Sequence, residues 1–151
     1  LLIWLKGQDL YFCRITNKTN MSNELSRIAT LEVKENKYEL KFPTMGNFLD
    51  IESRRMALSN GTYSQLLRSA LISSGIALDM IDMAATLSVL CPKLIKDLKA
   101  ESLLDLDIMD AQELENAYKK SVKPWVEGWL KIIREARKED IAQNADVKAD
   151  A

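Results

Sequence analysis

Two aspartates, Asp79 and Asp82, have the spacing that chemistry on a helix requires. Residues three apart share a helix face, so the two carboxylates can be presented together for acid–base catalysis or for metal binding. The alternative is that they form the solvated stripe of a mostly buried helix, or pair with nearby basic residues. We favour this alternative.

A second acidic group, formed by Asp105, Asp107 and Asp110, resembles a calcium-binding loop. Met109 occupies the third ligand position, no glycine follows, and a glutamate is missing at the required spacing. Helix N-capping and loop solvation therefore explain these aspartates better than metal binding does.

Other residues with catalytic potential are few. The sequence contains no histidine, which excludes most catalytic triads, histidine–zinc sites and histidine proton shuttles. Cys13 and Cys91 are far apart and in unlike settings, and we expect both to be reduced and inert. No glycine-rich phosphate loop or nucleophile elbow is present. The sequence predicts a protein that is not an enzyme and has no cofactor or metal.

Length and charge restrict the class of protein further. A chain of 151 residues fits one domain, and a net charge of −1 disfavours nucleic acid as a partner. Asp79 and Asp82 interrupt the longest apolar stretch, so no uncharged run of about 18 residues predicts a membrane span. The opening LLIWLKG is too short and too weakly patterned for a signal peptide. We expect a cytoplasmic protein.

The stretch from Thr62 to Cys91 is the predicted central helix. Thr62 and Gln65 have the spacing of a capping box, and apolar residues cover most of the helix circumference beyond Ile76. Such a helix has to be covered by other elements. Serine and glycine at 73–75 are its weak point, where we expect a bend or a division into two helices.

The flanking segments supply that cover. Alternation of apolar and polar residues predicts a β-hairpin over 28–42 with its turn at Glu35-Asn36, and an unprotected hairpin edge would be a docking site. Helices are predicted over 44–138: one from Thr44 to about Ser59, a short one from Pro92, and a late one from Asp110 that kinks or restarts at Pro124. The fold class is mainly α (α+β), a hairpin on a bundle of four to five helices.

The two ends of the chain are expected to lie outside the domain. The first methionine is Met21, and the preceding ITNKTN can be written in A-rich codons, so residues 1–20 are predicted to be a non-native leader or disordered. The alternative is a genuine strand or helix over Leu1–Ile15. A single globular domain is predicted over 21–138, and a disordered tail over 139–151.

Two apolar groups are candidates for binding a protein partner. The first is a methionine-rich stripe on the central helix, because methionine adapts to varied apolar surfaces: Met80, Met83 and Leu87. The second is a tryptophan pair one helical turn apart, Trp125 and Trp129, because tryptophan is enriched at interfaces. The alternative for both groups is that they are core residues.

The order of features from Leu31 to about Leu130 resembles the tail assembly chaperones of bacteriophages and prophages. The resemblance lies in a short hairpin, a proline-threonine entry into helices, a helical middle and a late helix with paired tryptophans, namely TLEVKENKYELKF, PTMGNFLDIE and WVEGWL. The resemblance implies a small acidic protein that is located in the cytoplasm of the bacterial host and binds apolar segments of the tape measure or tail tube protein without catalysis. A virion structural protein and a homodimeric interaction module are the alternatives.

Overall fold

Alternation of apolar and polar residues produces the antiparallel hairpin that the sequence predicts. The computed structural model describes residues 25–149, with side chains to residue 138, and the predicted leader over 1–20 lies outside this range. Strand β1 (Ile28–Val33) pairs with β2 (Asn36–Lys41), and Leu31 faces Tyr38 on the buried side. The mainly α fold with an N-terminal hairpin is confirmed.

The hairpin turn lies at Lys34-Glu35, one residue earlier than predicted. Both residues have positive φ angles, 47° and 68°, which a two-residue turn needs to match the twist of its strands. Asparagine and glycine adopt this conformation more readily than lysine or glutamate. An ion pair between Lys34 Nζ and Asp110 Oδ1 (2.7 Å) links this turn to the helical part of the fold.

Six α-helices follow the hairpin, joined by short connections and two irregular turns. Their bounds are α1 (Met45–Leu58), α2 (Tyr63–Arg68), α3 (Ile72–Leu90), α4 (Pro92–Asp97), α5 (Ile108–Ala117) and α6 (Lys123–Ala149). A single 3₁₀ turn covers Leu103–Asp105, and a π-helical turn over Tyr118–Val122 separates α5 from α6. Helix α1 packs on α3, and β1 lies against α5 and the π-helical turn.

Local sequence signals set several helix ends. Thr44 accepts a hydrogen bond from the Asn47 backbone, and the Asn47 side chain accepts one from Thr44 N–H, a capping box that starts α1 as predicted. Pro92 lies in the first turn of α4, also as predicted. Gly61, with a φ of 76°, lies in the left-handed conformation just after the end of α1.

The predicted central helix is divided in two, and the division lies before the serine-glycine stretch rather than in it. Ser69 is extended (φ −76°, ψ 136°), so α2 ends at Arg68 and α3 begins at Ile72. The Ser69 hydroxyl accepts hydrogen bonds from Leu71 N–H (3.3 Å) and from Ser74 Oγ (2.8 Å). Serine thus supplies local hydrogen bonds that replace those of a continuous helix.

Helix α3 forms the centre of the core. Five consecutive residues of its second half are buried: Met83, Ala84, Ala85, Thr86 and Leu87. The other fully buried large side chains of the larger unit (Arg27–Lys123) are Leu31, Leu40, Ile51, Leu94, Leu114 and Val122, and Trp129 is buried in the smaller unit. The expectation that this helix has to be covered is thereby confirmed for its second half.

Substitution of Gly75 by alanine should stabilise the fold. Gly75 lies in the first half of α3, is exposed, and has no heavy atom within 4 Å of the position that a Cβ would take. Alanine loses less backbone entropy than glycine in a helix, so we expect the free energy of unfolding to rise by about 0.5–1 kcal/mol. Urea denaturation measures the change. A lower midpoint in urea would contradict this prediction and would show that the added methyl group disturbs the packing around residue 75.

Helices α5 and α6 differ from the prediction, α5 at its start and α6 at its end. Helix α5 starts after Asp107, which caps it by accepting from Asp110 N–H (2.9 Å), whereas the predicted start was Asp110. Pro124 lies in the first turn of α6, as predicted for a restarted helix. Helix α6 continues to Ala149, over most of the range 139–151 in which the sequence predicts a disordered tail, through a segment rich in alanine and other good helix formers.

The described chain divides into two compact units. The larger unit is Arg27–Lys123, and the smaller contains Leu25, Ser26 and residues 124–149. Within the smaller unit, Trp125 Nε1 donates to the Ser26 carbonyl (2.7 Å), and a Cβ at Gly128 would lie 2.7 Å from Leu25 Cδ1. A glycine here therefore lets residue 25 approach the backbone of α6 closely.

Helix α3 also has the length and composition of a membrane span. It has 19 residues and a mean hydropathy of 1.3, and 39% of its most apolar window is buried within the protein. The core helix of a folded domain passes the same test. Asp79 and Asp82 lie near its middle, and the partners of these two carboxylates are described below.

Candidate functional site

Asp82 belongs to a polar network between α1, α2 and α3. Its carboxylate pairs with Arg55 Nε (2.7 Å) and accepts a hydrogen bond from the Tyr63 hydroxyl (2.7 Å). Arg55 is buried, also pairs with Glu52, and lies 5.9 Å from the centre of the Tyr63 ring. These contacts join three helices through one carboxylate.

Asp79 lies in a separate network with residues of the π-helical turn and its neighbours. Its carboxylate contacts Lys119 Nζ (3.0 Å) and Lys123 Nζ (3.5 Å), and Lys119 also pairs with the buried Glu115. Burial raises the pKa of the Asp79 carboxyl, but the lysines, Lys119 most, lower it by more, so that the pKa lies below its usual value. Both aspartates therefore pair with basic residues, as the favoured interpretation of the sequence predicted, and the cationic partners of the two differ.

The acidic group after α4 makes structural contacts. Asp105 accepts a hydrogen bond from Ser102 N–H (3.0 Å), Asp107 caps α5, and Asp110 pairs with Lys34. Asp105 and Asp107 therefore have the helix-capping role that the sequence predicts. Among the residues with described side chains, no three acidic or sulfur-containing side chains cluster in a way that could hold a metal ion.

Cys91, at the end of α3, is buried and is not in a disulfide. Burial raises the pKa of its thiol above the usual value. A protonated thiol is a poor nucleophile, so this environment agrees with the expected inert cysteine. Cys13 lies outside the described residues.

The alkaline limb of the stability curve should depend on Tyr63. Burial raises the pKa of its hydroxyl, and the hydrogen bond to Asp82 raises it further. A folded-state pKa above the unfolded value of about 10 stabilises the fold fully below pH 10, and this contribution is lost as the pH rises through the folded-state pKa. The free energy of unfolding, measured in urea between pH 8 and 11, should therefore fall less steeply in Tyr63→Phe.

A control separates this effect from a general alkaline instability. Tyr38, whose hydroxyl donates to Asp97 (3.0 Å), also has a pKa raised by burial, so the slope should not vanish in Tyr63→Phe. It should be lowest in the Tyr38→Phe/Tyr63→Phe double variant. Parallel curves for the parent and Tyr63→Phe would contradict the assignment.

The side chains predicted to bind a partner are mostly in the core. Met83 and Leu87 are 0% exposed, Trp129 is 2% and Trp125 is 6% exposed, and Met80 is half-buried. A buried side chain is not available to a partner while the protein stays folded. Met83, Leu87, Trp125 and Trp129 are thus core residues in the described structure, which is the alternative that the sequence analysis left open for both groups.

Exposed apolar side chains are found instead around the break between α2 and α3. We call this group the apolar corner, and its members, 57–85% exposed, are Leu67, Leu71, Ile72 and Ile76. Leu71 and Ile72 are consecutive, and Ile76 lies one helical turn after Ile72. Grouped exposed apolar side chains of this kind are typical of protein-binding surfaces.

The sequence pattern did not single out the apolar corner. In a continuous helix from Thr62, Leu67 and Ile72 would lie in interior turns, before the stretch beyond Ile76 whose apolar circumference predicts burial. The extended conformation at Ser69 places these residues at helix ends, which neighbouring elements do not cover. The available signal was a three-residue segment with one serine, RSA at 68–70, flanked by paired apolar residues, LL at 66–67 and LI at 71–72.

Exposed apolar residues also occur on two other helices. Helix α1 carries Met45, Leu49 and Met56 on its outer face, and the start of α5 carries Ile108 and Met109.

Comparisons with models of known protein families, with curated protein sequences and with solved structures give no match.

Proposed function

We propose that this protein is a non-catalytic tail assembly chaperone of a bacteriophage or prophage. It would act in the cytoplasm of the bacterial host and bind apolar segments of the tape measure or tail tube protein during virion assembly. The apolar corner is the observation that carries the proposal. The order of sequence features that resembles such chaperones supports it.

The apolar corner is suited to transient binding of an apolar segment. Its four side chains are all more than half exposed, and they come from two helix ends and the connection between them. Burial of apolar surface contributes about 25 cal/mol per Å², so a partner segment that covers several of these side chains gains affinity without any catalytic group. A chaperone needs this kind of reversible contact.

The acidic pair of α3 supports a structural role for the central helix. Asp79 and Asp82 are engaged by Lys119, Lys123 and Arg55. Cations from other helices compensate both carboxylates, which favours a core helix over a membrane span and over a pair of catalytic acids.

Co-expression with the tape measure protein of the same phage or prophage tests the proposal. We expect the parent chain to raise the soluble fraction of the tape measure protein, and the Ile72→Asp/Ile76→Asp variant to lose most of this effect. Aspartate in the first turns of α3 is compatible with the helix dipole, so the variant should fold. Circular dichroism and the thermal midpoint check that it does.

A matched variant controls for the loss of apolar surface in general. Ile108→Asp/Met109→Asp removes two side chains of comparable exposure, 86% and 79%, from the start of α5. It should keep the activity of the parent. Equal loss in both variants, or no effect of the parent chain, would contradict a specific role of the apolar corner.

Purified particles distinguish the chaperone from the alternatives. Mass spectrometry should not find the protein in mature virions if it is a chaperone. Its presence there at a fixed stoichiometry would favour a virion structural protein. A stable dimer in sedimentation equilibrium, with no effect on tail proteins, would favour a homodimeric interaction module.

A further inference from the structure

The outer edge of β1 offers backbone groups for pairing. The two-residue turn makes Val33 and Asn36 a hydrogen-bonded pair, so alternate β1 residues beginning with Val33 direct their N–H and C=O groups toward β2. The hydrogen bond from Phe42 N–H to the Arg27 carbonyl (2.9 Å) continues the same series. The backbone groups of the residues between them point away from β2.

Two of these outward-facing residues are Thr30 and Glu32. Among the described residues, none forms a backbone hydrogen bond with their outward N–H and C=O groups. Unpaired groups on an edge strand are a template for an added strand. The outward-facing backbone groups of β2 have the same geometry. The side chains and surroundings of the two edges therefore determine which edge is the better site for an added strand.

The β2 edge carries charges that oppose strand addition. Lys37 and Lys41 flank Glu39 on its solvent-facing side, and lysine on an edge strand is a common protection against pairing. The β1 edge has no lysine among its outward residues. The two edges are therefore unequal.

A groove of about 560 Å³ adjoins the β1 edge. Thr30 and Glu32 line one side, and residues from the end of α5 and the π-helical turn line the other: Asn116, Ala117, Lys120 and Ser121. A groove beside a strand edge gives an incoming segment contacts for its side chains as well as for its backbone. π-Helical turns are frequent at functional sites.

The charge of the groove indicates the chemistry of its occupant. Glu32 is already paired with Lys37 (2.9 Å), whereas Lys120 forms no ion pair with any residue whose side chain the structure describes. Lys120 is exposed in the groove and remains available for a carboxylate. An extended segment with an acidic residue is complementary to this arrangement.

We propose that an extended, acidic segment of the protein partner adds to β1 as a third strand, with its carboxylate on Lys120. This inference rests on the proposed function, since it names a second contact through which the chaperone holds its tail protein. The apolar corner binds apolar side chains, and the β1 edge binds backbone.

A designed peptide tests the strand-addition site on the full-length protein. The probe is a nine-residue peptide of alternating threonine and valine with a central glutamate, titrated into ¹⁵N-labelled protein. The amide resonances of Thr30 and Glu32 should shift, and those of Lys37 and Glu39 should not. Shifts confined to the β2 edge, or to the apolar corner, would overturn the proposal.

Two proline variants form a matched pair for the affinity measurement. Thr30 and Glu39 face each other across the hairpin, and each directs its N–H outward on its own edge. Proline at either position removes an outward donor without removing a hydrogen bond of the hairpin. Thr30→Pro should weaken peptide binding at least about tenfold, which is about 1.4 kcal/mol, while Glu39→Pro should bind like the parent.

A charge variant provides a second measurement if Thr30→Pro does not fold. Lys120→Glu should weaken binding of the glutamate peptide and strengthen binding of the same peptide with a central lysine. Lys93→Glu makes the same charge change on an exposed lysine of α4 and should do neither. If peptide-free protein shows concentration-dependent shifts at Thr30 and Glu32, a second copy of the chain is the occupant and the proposal is wrong.

The co-expression assay separates this inference from the proposed function. If Ile72→Asp/Ile76→Asp loses the effect on the tape measure protein and both Thr30→Pro and Lys120→Glu keep it, strand addition is wrong and the chaperone function stands. If the peptide binds at β1 but the parent chain does not affect any tail protein, the chaperone function is wrong and the strand-addition site stands.

Discussion

Replacement of Leu87 by alanine should lower the free energy of unfolding by about 3 kcal/mol. Leu87 is 0% exposed and lies among the buried residues of α3. Truncation of a buried leucine costs the transfer energy of the lost atoms and leaves a cavity, which together cost about 2–5 kcal/mol. Urea denaturation followed by circular dichroism measures the difference.

Leu67→Ala is the matched control for this prediction. It makes the same chemical change at a side chain that is 61% exposed, and it should alter the free energy of unfolding by less than about 0.5 kcal/mol. The pair therefore distinguishes a core stripe from a docking stripe. If the two variants were equally stable, Leu87 would not be part of the core.

The second large effect is expected at Arg55. Its guanidinium is buried and pairs with both Asp82 and Glu52, so Arg55→Met leaves two carboxylates without their cation. Removal of one partner from a buried pair costs about 3–5 kcal/mol, and the partial exposure of both carboxylates reduces this to about 2 kcal/mol. The free energy of unfolding in urea is again the measurement.

Two further variants make this result specific. Arg54→Met removes an exposed arginine next in the chain and should change stability by less than about 0.5 kcal/mol. Arg55→Met combined with Asp82→Leu should recover part of the loss, because the unpaired carboxylate is then also gone. An additive double variant would show that the two residues do not act as a pair.

Much of the fold was predictable because its signals are local. Alternation of apolar and polar residues predicted the hairpin, and Thr44 predicted the start of α1. Pro92 and Pro124 predicted the first turns of α4 and α6. Each of these features depends on a few neighbouring residues and on strong backbone preferences. Local signals of this kind are read correctly without knowledge of the tertiary structure.

The features that were missed depend on competition between local and distant contacts. At Ser69, side-chain hydrogen bonds outweigh the helical pattern on both sides, and a pattern of apolar residues does not report that balance. Lysine and glutamate are unfavourable residues for the positive φ angles of the turn at Lys34-Glu35. This turn is held by an ion pair between Lys34 and Asp110, which lie 76 residues apart in the sequence. Sequence spacing alone does not reveal such a partner.

The candidate site was less predictable than the fold for a related reason. Exposure of an apolar side chain is decided by which other elements reach it. The pattern placed Met83 and Leu87 on the same helix as Ile72 and Ile76, but only the second half of α3 is covered. The sequence pattern identifies which side chains are apolar, and the tertiary structure determines which of them are buried by other elements.

The two carboxylates of α3 also have a consequence for biosynthesis. While the chain is being translated, Asp79 emerges from the ribosome before Lys119 and Lys123 have been made, so the apolar segment of α3 then carries an uncompensated charge. An aspartate near the centre of such a segment opposes insertion by the translocon by about 2.5–3.5 kcal/mol. The uncompensated charge of Asp79 thus disfavours membrane insertion of the nascent segment before Asp79 pairs with its lysines in the folded chain.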